Sequence, residues 1–188
     1  MNDLQDRIGP KHSALTGSLK KMTASQVNLI SQVLESWSVN SRINLILIKA
    51  ISVRGLDTVP MNSKGRTVRE QLVHMHNVRY RWMEYNDNAL VALVPKLLKE
   101  GNPGKKELLS AFKKSGIAVE KFIKKNIEGD KKVKYFRGSP VRWMSYLISH
   151  ESHHRGSVLL ALKQAGIRMP DKITMDGLWG TWYRSEKK

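Results

Sequence analysis

From Thr23 onward, apolar residues recur three and four positions apart: Val27, Ile30, Val33, Leu34, Trp37, Ile43, Ile46, Leu47 and Ala50. A helix turns about 100° per residue, so this spacing gathers them on one face. The segment predicts one long amphipathic helix, or two joined near residues 38–41. After a loop over residues 55–65 that carries Pro60, Thr67-Val68-Arg69-Glu70 has the form of a capping box, in which each polar side chain satisfies an orphan backbone N–H. A second helix starts there and runs to about Asn86. Asn102-Pro103-Gly104 breaks the chain, and Leu108, Leu109, Phe112, Val119, Phe122 and Ile123 give a third helix to about Asn126. Residues 88–98 could add a short helical piece before it. Ser139-Pro140 starts a fourth helix, with serine as N-cap and proline at the first helical position, where its missing N–H costs nothing. Gly166 ends that helix as a left-handed C-cap, with Pro170 just beyond. No stretch alternates with period two, so the expected fold is all-α, a four-helix bundle. Residues 1–22 lack an apolar period and are expected to be a basic, flexible arm. The single domain then spans residues 23–188 and ends in a short C-terminal extension.

A chain of 188 residues, 40% hydrophobic and 26% charged, fits one domain with a substantial core. Zero cysteines exclude disulfides, thiolate-held zinc or iron–sulfur centres and a cysteine nucleophile, so any metal must rest on His and carboxylates. No run reaches the roughly 18 apolar residues of a membrane span, and the first residues lack the layout of a signal peptide. The expectation is a soluble, cytoplasmic protein that is not a membrane partner.

The net charge of +17 makes nucleic acid an available partner. Between Lys99 and Arg142 there are 13 Lys+Arg against 5 Asp+Glu, a net of +8 in 44 residues. The alternative function is a non-catalytic stress-related or nucleic-acid-binding protein using this basic surface, with backbone-directed contacts falling to Lys113, Lys114, Lys121 and Lys124 on the third helix. A lysine-rich face with few interleaved aromatics is more often solvated surface, and no recognisable nucleic-acid motif accompanies it. The other use of such a charge is to attract an anionic substrate or thiol.

Five of the six histidines fall in two groups, His74 and His76 on the second helix and His150, His153 and His154 on the fourth. Measured around the helix axis from His150, Trp143 falls at about 20°, His154 at about 40°, Leu147 at about 60° and Val158 at about 80°. Both histidines therefore lie in the stripe that faces the bundle interior, while His153 is on its flank beside Tyr146 as a neighbouring or surface residue. Two imidazoles one turn apart can share a cation, and a facing helix can add a third ligand. His74 or His76 could supply it; both flank the apolar arc of the second helix, and periodicity leaves the choice open, with His76 expected to be half-exposed. His150-Glu151-Ser152-His153-His154 also has the form of the His-Glu-x-x-His zinc-protease motif, which makes Glu151 a candidate general base. The bland reading of Glu151 is an ion pair with Arg155 one turn away. Without the downstream third ligand of that motif or a strand to bind a peptide, a peptidase is disfavoured. Tyr85, Trp82 and Trp143 are candidate pocket walls, with core packing the ordinary alternative.

The string Thr67-Val68-Arg69-Glu70-Gln71-Leu72-Val73-His74, Trp82, the run His150-Glu151-Ser152-His153-His154-Arg155-Gly156 and the closing Gly177-Leu178-Trp179-Gly180-Thr181-Trp182 together resemble the DinB-like, YfiT-type family of bacterial damage-inducible proteins. The resemblance covers roughly residues 25 to 185. It implies a four-helix bundle holding a divalent metal on His74, His150 and His154, and it is what selects His74 over His76. Ser157 departs from the glutamine usual after the Arg-Gly pair. The resemblance further implies a homodimer and, for some members, transferase or isomerase activity with a low-molecular-weight thiol; hydrolysis is the other chemistry such a site offers. Three imidazoles suit zinc, nickel or ferrous iron and leave open positions for a small-molecule substrate.

Overall fold

The computed structural model describes residues 23–98 and 100–184; the expected arm at residues 1–22 lies outside them. Among the described residues there are helices and no strand. The opening segment is one helix, α1 (Ala24–Ala50), started by a Thr23–Gln26 capping box. Helix α2 (Val68–Glu84) follows with the Thr67–Glu70 box in place, and Asp87 caps the short α3 (Asn88–Val91). Helix α4 (Lys105–Glu128) and helix α5 (Pro140–Gln164) complete the four long helices of a bundle, α5 with Ser139 as N-cap and Pro140 at its first position. Gly166 closes α5 with φ +74°, a left-handed conformation that glycine adopts without a Cβ penalty. A π-helical segment (Lys172–Gly180) and a last turn, α6 (Thr181–Tyr183), then lie back on α1.

The apolar core has two parts. One gathers Ile43, Leu47, Ile48, Leu72, Met75, Phe112, Val158 and Leu162. The other gathers Trp37, Met83, Phe122, Trp143 and Leu147. Helices α1 and α4 approach closely at Gly116, where an added Cβ would collide with Ser41 and where Trp37 Nε1 donates to the Gly116 carbonyl at 2.9 Å.

Along α1, α2 and α5, the residues between the two apolar groups are polar and buried: Asn40 and Asn44, Arg79, then Glu151 and Arg155. Glu151 and Arg79 are fully buried. Arg79 donates from Nε to Glu151 Oε1 at 2.5 Å and from Nη2 to Oε2 at 2.7 Å, a bidentate pair. Oε2 also accepts from Asn40 Nδ2 at 2.7 Å and Asn44 Nδ2 at 2.6 Å. The remaining Arg79 nitrogen reaches Ser115 Oγ and the Phe112 carbonyl on α4. All four long helices are thereby joined at one charged centre.

Burial pushes the Glu151 carboxyl up, but the Arg79 charge and the hydrogen bonds outweigh it and hold the group below its ordinary 4.5. Breaking such a pair leaves an uncompensated buried charge. Glu151→Ala is expected to lose about 3–5 kcal/mol of stability, read from urea unfolding. Because the folded carboxyl is depressed, its contribution is fully present above pH 4.5 and disappears as pH falls through the folded value. Acid unfolding of the wild type should carry this component, and Glu151→Gln should lack it.

Candidate metal centre

Helix α2 presents His74, and α5 presents His150 and His154 one turn apart; all three are partly buried. The Nε2 atoms of His74 and His150 are 3.2 Å apart. Two nitrogens at about 2.05 Å from a tetrahedral cation would be separated by about 3.3 Å, so this spacing is that of co-ligands. One ring nitrogen from each of the three lies within 4.8 Å of the others, and together they could hold a metal ion. The rings meet edge to face, with centroids 4.6–5.1 Å apart.

Gln71, one turn before His74 on α2, faces His154: its Oε1 lies 3.4 Å from His154 Nδ1. When Nδ1–H donates there, Nε2 keeps the lone pair that a cation could take. His150 Nδ1 is buried and has no hydrogen-bond partner among the described residues. Burial, followed by the charge of Arg66, lowers the His74 pKa to about 4. Burial and the two neighbouring imidazoles do the same to His154, to about 4, and burial lowers His150. The trio is therefore neutral at pH 7, the form that donates to a metal.

A cleft of about 230 Å³ opens beside His74, lined by Arg66, Glu70, Asn77, Val78 and Arg81. On the other side of the site Tyr146 stacks on His150 with ring centroids 5.9 Å apart and planes 22° apart. Tyr146 belongs to an aromatic group in which Trp82 packs on Tyr85, Tyr135, Phe136 and Tyr146. The loop supplying Tyr135 and Phe136 has positive φ at four consecutive residues, Tyr135 to Gly138, and three of them are not glycine. That strain is held against the packing of the aromatic group.

Several side chains sit elsewhere than their sequence positions suggested. His76 is fully buried rather than half-exposed, because residues after α3 cover it: Nε2 donates to the Pro95 carbonyl at 2.6 Å and Nδ1 lies 3.3 Å from Ser115 Oγ. Trp143 is fully buried against Phe122 and walls no open pocket. Trp82 and Tyr85 stand in the aromatic group, with Tyr85 exposed. Glu151 is turned into the core, both oxygens engaged by Arg79 and the two asparagines, an arrangement of an anchor rather than a free general base. Its partner is Arg79 on α2, while Arg155 on its own helix donates to Asn40, Asn44 and Ser152. His153 is exposed, its ring 5.3 Å from that of His154. Lys113, Lys114, Lys121 and Lys124 are all exposed on the outer face of α4, and Lys124 lies 3.9 Å from Glu128. Gln71, Arg66, Arg81 and Tyr146 join the site without having been singled out as part of it. Gln71 at three residues before His74 was the one readable signal, since that spacing shares a helix face.

The DinB family matches residues 22–186, nearly the whole chain, and the chain belongs to that family. No curated protein matches it.

Three outcomes are expected. Elemental analysis should find close to one divalent metal per chain, lost in His74→Ala and His150→Ala with helical circular dichroism retained. Gln71→Leu should weaken metal affinity about 10- to 100-fold by competition titration, the range for a residue that orients a ligand. In metal-free protein, the unfolded chain gains histidine protons below pH 6.5 while folded His74 and His154 resist them to about 4 and His150 is shifted in the same direction. Stability should therefore fall as pH drops through that window, and fall less in His74→Gln/His154→Gln.

Proposed function

We propose that this member of the DinB family is a metal-dependent transferase using a low-molecular-weight thiol, with hydrolysis by the same centre as the alternative chemistry. His74, His150 and His154 hold zinc, nickel or ferrous iron, and the protein works as a cytoplasmic homodimer on a small-molecule substrate. The single observation that carries the reading is the convergence of three neutral imidazole nitrogens beside an open polar cleft. A bound divalent cation with only three protein ligands would lower the pKa of a thiol or water at its open position.

The chain's own residues do the rest. Gln71 orients His154, and the stack of Tyr146 on His150 fixes that ring from the other side. Arg66 and Arg81 line the cleft and favour an anionic substrate or thiol there. Glu151 takes no part in proton transfer; its buried pair with Arg79 sets the relative position of α2 and α5.

Cobalt-loaded protein titrated with mercaptoacetate should develop a thiolate-to-metal charge-transfer band, absent in His150→Ala. Arg66→Gln should weaken mercaptoacetate by about two- to fivefold, the effect of one exposed charge, and leave the uncharged 2-mercaptoethanol unchanged. Cobalt binding without any thiol-dependent spectral change would remove the thiol from the reading.

A further inference from the structure

Because a helix turns by about 100° per residue, Ser152, Gly156 and Leu159 fall on the face of α5 opposite the histidines. They line a second, solvent-open cavity of about 190 Å³, bordered by Leu178, Trp179 and Trp182 of the C-terminal segment. Trp179 and Trp182 are 64% and 41% exposed, an unusual placement for two indoles standing over a cavity. A Cβ built on Gly156 meets nothing within 4 Å, so the helix surface here borders open space.

Arg155 also lines this cavity and is itself only 8% exposed. The buried network it belongs to contains two guanidinium groups, Arg79 and Arg155, and one carboxylate, Glu151, a net of +1. Arg79 takes both carboxylate oxygens. Arg155 hydrogen-bonds to neutral acceptors: Asn40 Oδ1 at 2.8 Å, Asn44 Oδ1 at 2.9 Å and Ser152 Oγ at 2.5 Å. A guanidinium has five N–H donors; the one carboxylate of the network, Glu151, favours the Arg155 charge but is hydrogen-bonded by Arg79, so Arg155 shares an anion without contacting one directly. The cavity is the direction from which an anion can reach it.

We infer that this cavity is a second ligand site, separate from the histidine centre, and that it takes a small aromatic carboxylate. The carboxylate meets the Arg155 guanidinium and Ser152, and the ring lies against Trp179, Trp182 and Leu159. The size of the cavity restricts the ligand to a single ring or a short equivalent, since drug-sized ligands occupy sites of about 300 Å³ or more.

Isothermal titration calorimetry of the full chain with benzoate, and with the isosteric uncharged benzamide, tests this. Benzoate should bind saturably, and benzamide about tenfold or more weakly, the loss of one charge-assisted contact. Gly156→Leu fills the space without meeting other atoms first, and Trp179→Ala removes a wall; each should weaken benzoate about tenfold while helical circular dichroism is retained. His74→Ala should leave benzoate binding unchanged. Loss of binding in His74→Ala would put benzoate on the metal and overturn the assignment. So would equal affinity for benzamide, or no saturable benzoate binding. A Gly156→Leu variant that changes sedimentation but not benzoate affinity would give the cavity to a second copy of the chain instead.

Discussion

The buried Arg79–Glu151 pair is the constraint on which the rest of the molecule depends. Two charges with no solvent access are tolerable only when each hydrogen-bonding position is met, and here the acceptors and donors come from all four long helices. Apolar contacts are non-directional and tolerate small helix adjustments. A bidentate guanidinium–carboxylate contact does not, because a shift of one turn moves the partner by about 5.4 Å. Arg79 lies five residues after His74, and Glu151 directly follows His150, so the register the pair imposes on α2 and α5 is also the register of the three-histidine group.

The same burial that makes this pair necessary prepares the histidines. Partial desolvation and the cationic surroundings disfavour imidazolium at His74 and His154, leaving both neutral at neutral pH, the form that a metal would require of them. Arg66 beside the three histidines would repel an incoming cation, yet it has the sign that would recruit an anionic ligand. The polar network continues past Glu151 to Arg155 and reaches the opposite face of α5, so one helix presents two different chemistries from its two sides.

Much of this was legible in the chain. Periodicity, the Thr67–Glu70 box, Ser139-Pro140 and Gly166 mark the helices because those signals act within one turn of backbone. The His150/His154 stripe was equally local, since two residues four apart on a helix share a face whatever the tertiary context. The exposed lysines of α4 followed from the buried face that Phe112, Val119 and Ile123 define. The burial of His76 was not legible, because it comes from Pro95, in a segment with no periodic pattern to announce where it packs. Trp143 was ambiguous because an inward aromatic reads the same whether it faces a cavity or another ring.

What the sequence by itself determined was the set of helices, their inward faces and a pair of inward histidines on one of them spaced so that they could share a cation, all properties of backbone periodicity and short-range capping. Periodicity left His74 and His76 tied and only the family resemblance chose His74; the tertiary structure brings His74 beside His150 and His154, and it alone decided that His76 is buried elsewhere, that Gln71 meets His154, and that Glu151 serves Arg79 rather than solvent or Arg155. Those facts depend on how far α2 and α5 are rotated and slid against each other. That relation is set by long-range packing and one buried ion pair, which no local pattern in either helix encodes.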